Sequence, residues 1–235
     1  MRWFAVLVSA AFLSLGAAFI PAQANAEPVA QGPKVCAECH KSEAQVWEKQ
    51  SLIKARPLVD GAGIRASVIK QVSKSIYSGN QESFLKEEMK KLLLRVKDEL
   101  ARENENVYDI KFGYGGEMEL EYIVQYLQLV HAEHRPDLRV GNTWRALEQL
   151  KELEIITGPE YDILTDALWF FRRVSSRLRI YQDRPEHQIR IEPSVLDRLV
   201  KKIDVEGMSS GDQLREKLDH SRQGVHKIFM KYIGD

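Results

Sequence analysis

Apolar side chains recur at helical spacing along most of the chain, with turn formers between the periodic stretches. Ser42 to Lys54 has helical character and is stopped by Pro57. Asp60-Gly61-Ala62-Gly63 reads as a turn. From Ser83 to Glu103 strong helix formers carry Leu85, Met89, Leu92, Leu93, Val96 and Leu100 at the helical period. Val107 to Phe112 alternates as a short strand, and Gly113-Tyr114-Gly115-Gly116 forms a tight turn after it. Helix resumes from Glu119 to His134, with Leu120, Ile123, Val124, Leu127 and Val130 on one face, until Arg135-Pro136 ends it. Asn142 is placed to cap a helix reaching Leu153, and Gly158-Pro159 opens another that continues to about Arg179. Gln182 to Glu192 is polar and reads as a loop; Ser194 caps a helix through Ile203, and Ser210 to Tyr232 closes the chain. The fold class expected is mainly α: a helical bundle with a small strand element near residues 107–122.

The first residues break this pattern. Arg2 precedes an apolar run from Trp3 to Ile20, and Pro21-Ala22-Gln23-Ala24-Asn25-Ala26 ends in small residues suited to signal peptidase. A cleaved export signal over residues 1–26 is expected, with an uncleaved anchor as the alternative. No second apolar run of that length follows, so no integral membrane domain is expected after cleavage, and the mature chain would be periplasmic or secreted. Basic and acidic residues balance at 34 each, which argues against a nucleic-acid partner.

The only two cysteines lie in Cys36-Ala37-Glu38-Cys39-His40. In a c-type haem site each thiol adds to one vinyl group and the adjacent imidazole binds the iron. Cys36 and Cys39 are therefore the candidate covalent haem attachments and His40 the candidate iron ligand. A zinc site would need a second Cys or His pair, a thioredoxin-type pair would need a βαβ setting, and a local disulfide is also open. Residues 33–48, with Trp47 seven positions after His40, resemble the first haem segment of multihaem cytochromes of the c552/c554 type. That resemblance implies haem c, a redox partner and electron transfer. Three segments follow: signal peptide 1–26, haem attachment segment 27–50 and helical domain 51–235.

Three further stretches resemble glutamine synthetase adenylyltransferase. They are Trp47-Glu-Lys-Gln-Ser-Leu-Ile-Lys-Ala-Arg56; Asp109-Ile-Lys-Phe-Gly-Tyr-Gly-Gly-Glu-Met-Glu-Leu-Glu-Tyr-Ile-Val-Gln125; and Asn142-Thr-Trp-Arg-Ala-Leu147 followed by Phe170 to Arg179. The second is the most specific, and together they cover about residues 47–235. The resemblance implies a nucleotidyltransferase that moves AMP between ATP and a tyrosine of glutamine synthetase, using Mg²⁺ held by acidic residues. The family's Gly-Ser…Asp-x-Asp pair and Arg-Leu-Arg-Pro segment precede the Trp-Glu helix, and Asp60, Asp98 and Asp109 do not reproduce their spacing. The expectation is a truncated relative that is inactive alone, with no catalytic residue, for which ATP and Mg²⁺ matter only if family activity is retained. Glutamine synthetase is the partner implied. Such enzymes work in the cytoplasm, whereas c-haem is attached after export, so a composite of two sources joined near Trp47 is a third reading.

Individual residues carry paired readings. Asp109 and Lys111 could meet nucleotide or partner, or simply shape a strand end. Gly113, Gly115 and Gly116 could cradle phosphate or form a tight turn. Glu119 and Glu121 could share magnesium. His131 and His134 could bind a metal or the far face of haem, or pair structurally. Arg172, Arg173, Arg177 and Arg179 make a basic helix, either solvated or facing an acidic partner. The family usually has Pro where Tyr114 sits and an apolar residue where Glu117 sits.

Overall fold

The computed structural model describes residues 41–55, 65–101, 103–182, 187–203 and 207–234. The expected signal peptide and the haem-motif residues Cys36, Cys39 and His40 lie outside them. Among the described residues the order is α1 (Lys41–Ile53), α2 (Arg65–Tyr77), α3 (Glu82–Leu100), β1 (Val107–Asp109), α4 (Glu117–His131), a 3₁₀ turn (Pro136–Leu138), α5 (Thr143–Glu152), α6 (Gly158–Gln182), β2 (Gln188–Arg190), α7 (Pro193–Ile203) and α8 (Gly211–Phe229). A π-helical turn, Met230–Gly234, follows α8. The architecture is the helical bundle with a small strand element that the pattern implied.

Helix α4 is the axis of the bundle. Its residues from Tyr122 to Leu129 are all buried, the all-round burial of a core helix rather than the single stripe of a surface one. It packs against α2, α3, α5, α6 and α8. Two buried amides on it are satisfied by neighbours. Gln50 on α1 donates to Gln125 at 3.0 Å, and Gln128 donates to the carbonyls of Leu138 and Val140 at 2.7 and 2.8 Å. Those bonds tie the 3₁₀ turn to the core and meet the desolvation cost of the amides.

Around this axis each helix turns one apolar face inward. Val46 and Ile53 of α1 meet a core that includes Leu85, Met89 and Leu93 of α3; Leu164, Phe170, Phe171 and Val174 line α6; Leu214, Leu218 and Val225 line α8. Helix α1 runs across residue 50, where the haem segment was expected to give way to the helical domain. Asn142 caps α5 as expected, its side chain accepting from the Arg145 amide, whereas Ser194, expected as a cap, lies inside α7, which opens at Pro193; Ser210 with Gln213 forms a capping box at α8.

Three elements differ from the sequence reading. Helix α2 was not expected. Its apolar positions are the β-branched Val68, Ile69, Val72 and Ile76, which are weak helix formers, and burial of Ile76 and Tyr77 holds it helical. Residues 188–190, expected as loop, form β2, which pairs antiparallel with β1 in the register Val107↔Arg190, Tyr108↔Ile189, Asp109↔Gln188. Strand β1 stops at Asp109 rather than Phe112, because the backbone turns there to deliver two carbonyls to the start of α4. Ile110 and Lys111 accept from the amides of Glu117 and Met118 at 3.0 Å each. Those amides would otherwise be orphan donors of a helix N-terminus, and their partners explain why α4 begins at Glu117 and not at Glu119.

Candidate functional site

The most specific motif, Asp109 to Gln125, folds as a strand end, a glycine turn and the first turns of α4. Asp109 is 2% exposed, and its carboxylate accepts from the amides of Lys111 and Phe112 at 3.0 and 2.9 Å. Its carbonyl accepts from Gly113 at 3.0 Å, and the Gly113 carbonyl accepts from Gly116 at 3.1 Å. A second carboxylate, from Glu103, accepts from the amides of Asp109 and Tyr114, both at 2.8 Å. The amides of Lys111, Phe112, Gly113, Tyr114 and Gly116 are thus all engaged within the protein. A phosphate cradle needs such donors aimed outward, so the turn is built as structure.

Arg222 on α8 closes this assembly. Its Nη2 donates to Glu103 at 2.6 Å, its Nε donates to the Tyr114 carbonyl at 2.8 Å, and its guanidinium lies 4.0 Å from the Tyr108 ring centre. The turn passes so close to α8 that Gly115 has φ of +62°, and a Cβ there would sit 1.9 Å from the Arg222 carbonyl oxygen. Glycine is required by both the backbone conformation and the space. At Gly113 a Cβ would sit 2.3 Å from the Glu103 carboxylate, so that glycine admits the clamp.

The two glutamates that were candidates for magnesium are not brought together. Glu119 is fully buried, bonded to Lys97 of α3 and to His226 Nδ1 of α8 at 3.0 Å. The His226 ring lies against Tyr114, with centroids 3.9 Å apart, and 6.1 Å from the Phe229 ring on α8. Glu121 faces outward instead, to Lys54 at 2.8 Å and Arg172 at 3.5 Å, and Arg172 also meets Glu117 at 3.0 Å. Carboxylates therefore divide by role: Asp109 and Glu119 are buried, the partly exposed Glu103 joins the turn to Arg222, and Glu117 and Glu121 alternate with Lys54 and Arg172 on the rim. Tyr114, where the resembled family has Pro, is half exposed and forms the lid over His226. Glu117 anchors Arg172 on the rim.

The other candidates fall elsewhere. His131 is the last residue of α4 and His134 lies in the turn beyond it, so they do not share a helix face as expected. Burial holds the His131 imidazole below its ordinary pKa, partly offset by Glu82. Arg173 stacks over Trp169 at 5.1 Å, and Arg177 and Arg179 are exposed. Glu103, Lys97, Arg222 and His226 escaped the sequence reading. Their charged contacts, Lys97 and His226 with Glu119 and Arg222 with Glu103, span 22 or more positions, with no local spacing to mark them.

With this geometry in view, comparison with known proteins gives one family and one set of relatives. A family model described as GlnD PII-uridylyltransferase matches residues 83–233, which includes the whole turn, clamp and rim apart from Lys54. The chain is 27% identical over 214 residues to the bifunctional glutamine synthetase adenylyltransferase/adenylyl-removing enzyme of Rhodopseudomonas palustris strain CGA009, covering 89% of this chain and 21% of that enzyme. The enzyme of the same description from Methylococcus capsulatus is 26% identical over 200 residues, covering 85% and 21%. That from Bradyrhizobium sp. is 30% identical over 168 residues, covering 68% and 16%. The chain spans about a fifth of the length of the relatives it matches most fully.

One side chain beside the turn makes the fold sensitive to pH. His187 sits edge-on to Phe112 at 5.9 Å, and its Nδ1 is buried with no hydrogen-bond partner among the described residues. Burial first, and then the Lys111 charge, hold its pKa below the ordinary value, with Asp109 opposing. The unfolded chain therefore takes up the proton more readily. The stability contributed by neutral His187 is complete above the ordinary histidine value of about 6.5 and is lost as pH falls below it. His131 has the same sign. Urea unfolding followed between pH about 7 and about 5, the range in which histidine changes charge, is expected to show stability falling with acid. The fall should be smaller in a His131→Asn, His187→Asn double variant. An equal slope in the two proteins would contradict this assignment.

Proposed function

The chain belongs to the GlnD PII-uridylyltransferase family, and from that premise we propose that it is an adenylyltransferase-type helical module that binds glutamine synthetase without transferring AMP itself. One observation carries the reading. The acidic positions of the matched turn, Asp109 and Glu119, are committed to backbone amides, Lys97 and His226, and what faces outward is the alternating ionic rim of Lys54, Glu121, Arg172 and Glu117. AMP transfer is driven by metal ions and charge placed on the phosphates. An alternating rim is better suited to orienting one protein against another. ATP and Mg²⁺ have a place only if the activity of the relatives is retained.

The test uses labelled ATP, Mg²⁺ and glutamine synthetase. Background labelling is expected, together with capture of the chain by immobilised glutamine synthetase. Arg172→Glu should weaken that capture by roughly tenfold, the scale of losing a close interfacial charge pair. Mg²⁺-dependent labelling, or no capture at all, would overturn the reading.

The Cys36-x-x-Cys39-His40 motif behind an apolar leader supports a second reading, in which the exported chain carries haem c and passes electrons to a redox partner, with the helices as scaffold. Two thiols and an adjacent imidazole are the donor set that haem c requires. Haem would supply the redox chemistry; the protein's part is Cys36 and Cys39 as attachment points and His40 as iron ligand. Expression with export and c-haem maturation is expected to yield a red protein whose colour survives acid–acetone extraction and whose mass lacks residues 1–26. A Cys36→Ala, Cys39→Ala double variant should lose that colour to the solvent. Colour retained in the double variant, or a colourless wild-type chain, would contradict the second reading.

A further inference from the structure

A small cavity between α1 and the turn before α3 holds an amine in an unusual setting. It has a volume of about 210 Å³ and is lined by Gln45, Val46, Lys49, Gly79, Asn80, Gln81, Phe84 and Leu85. The Lys49 ammonium donates to the side-chain oxygen of Asn80. Both hydrogens of the Asn80 amide are already engaged, donating to the carbonyls of Ile76 at 3.0 Å and Leu129 at 2.8 Å. The Asn80 oxygen can therefore only accept, and it stays fixed by two backbone bonds. Lys49 thus meets a neutral amide, while the nearby Glu133 carboxylate accepts from the Gly79 amide at 3.3 Å.

Two other lysines show the opposite setting, tied to carboxylates. Lys91, bonded to Glu87 and Glu88, and Lys231, bonded to Glu160, have their pKa values raised by those partners. Burial pushes Lys49 the other way, below the ordinary value, with Glu133 only partly opposing it. Desolvation of this kind is how proteins make a lysine amine nucleophilic at neutral pH. The walls are equally telling. Phe84 is 36% exposed at the rim, Val46 and Leu85 are buried apolar contacts, and Gln45 and Gln81 add carboxamides able to donate to a carbonyl oxygen.

We propose that Lys49 is a reactive amine whose cavity admits small aldehydes and joins them as a reversible imine. The nitrogen lone pair of the neutral amine attacks the carbonyl carbon, and the C=O π pair moves to oxygen. A proton passes from nitrogen to that oxygen to give a carbinolamine, which loses water as the C=N bond forms. No oxidant or reductant is consumed. Asn80 accepts one N–H of the amine, a contact that does not use the lone pair. At about 210 Å³ the space is below the roughly 300 Å³ at which drug-sized sites begin, so the aldehyde must be small.

The full chain is treated with propanal and cyanoborohydride, which reduces any imine to a stable secondary amine, and each lysine is followed by peptide mass spectrometry. At pH about 7 Lys49 is expected to be alkylated faster than the exposed Lys41, Lys70 and Lys74, because burial in the cavity wall favours its neutral, nucleophilic form. Its rate should also reach half-maximum at lower pH than theirs. Phe84→Trp, at a partly exposed position that leaves the core intact, should slow Lys49 alone. Lys49 reacting no faster than the exposed lysines, or Phe84→Trp slowing all lysines equally or none, would overturn the proposal.

Discussion

Arg222 reaches back 119 positions along the chain to Glu103, and the turn from Asp109 to Gly116 takes its path from that pair. A guanidinium with 8% of its side chain exposed loses several kcal/mol of hydration, and one carboxylate rarely repays that. Here the Tyr114 carbonyl and the Tyr108 ring add to the Glu103 contact, so three groups share the charge. Glu103 in turn accepts two turn amides, so losing Arg222 would leave both the carboxylate and the backbone it organises without their counterpart. The start of α4, the depth of Glu119 and the exposure of Tyr114 all follow from where this clamp sets the turn.

The clamp also separates what the protein keeps from what it presents. On the first two turns of α4, alternate glutamates point to opposite sides. Glu119 goes inward to Lys97 and His226, while Glu117 and Glu121 go outward to Arg172 and Lys54. Lys97 and His226 are the inward partners of a carboxylate with no solvent contact, and removing Lys97 would leave that charge buried without its cation. The outward ions are partly hydrated, and their value to stability is small. Interactions of little worth to folding are free to be used in recognition, and the proposed partner surface rests on that property of the rim.

Helix existence was legible where good helix formers and a cap coincided, as at Asn142, where the side-chain cap forms as the residue type required. Helix α2 was not legible because Val68, Ile69, Val72 and Ile76 carry weak local preference and depend on packing against α1 and α4. Strand β2 was hidden for a related reason: Gln188-Ile189-Arg190 gains its identity only by pairing with β1, some eighty positions earlier. The same distance rule governs the site. The motif from Asp109 to Gln125 stood out by its own spacing, yet its partners Lys97, Glu103, Arg222 and His226 come from three other segments. Local pattern finds the turn, and only tertiary contact shows that its acidic groups face inward.

A double-mutant cycle on the clamp tests this account most directly. Glu103→Gln, Arg222→Met and the double variant are compared with the wild-type chain by urea denaturation. Each single change is expected to cost about 3 kcal/mol, the scale of breaking a buried pair. The double variant should cost much less than the sum, with a coupling of about 2 kcal/mol or more. Losses that add to within about 0.5 kcal/mol would mean that the two residues act independently. In that case the turn owes its shape to local hydrogen bonds alone, and the clamp is not what holds it.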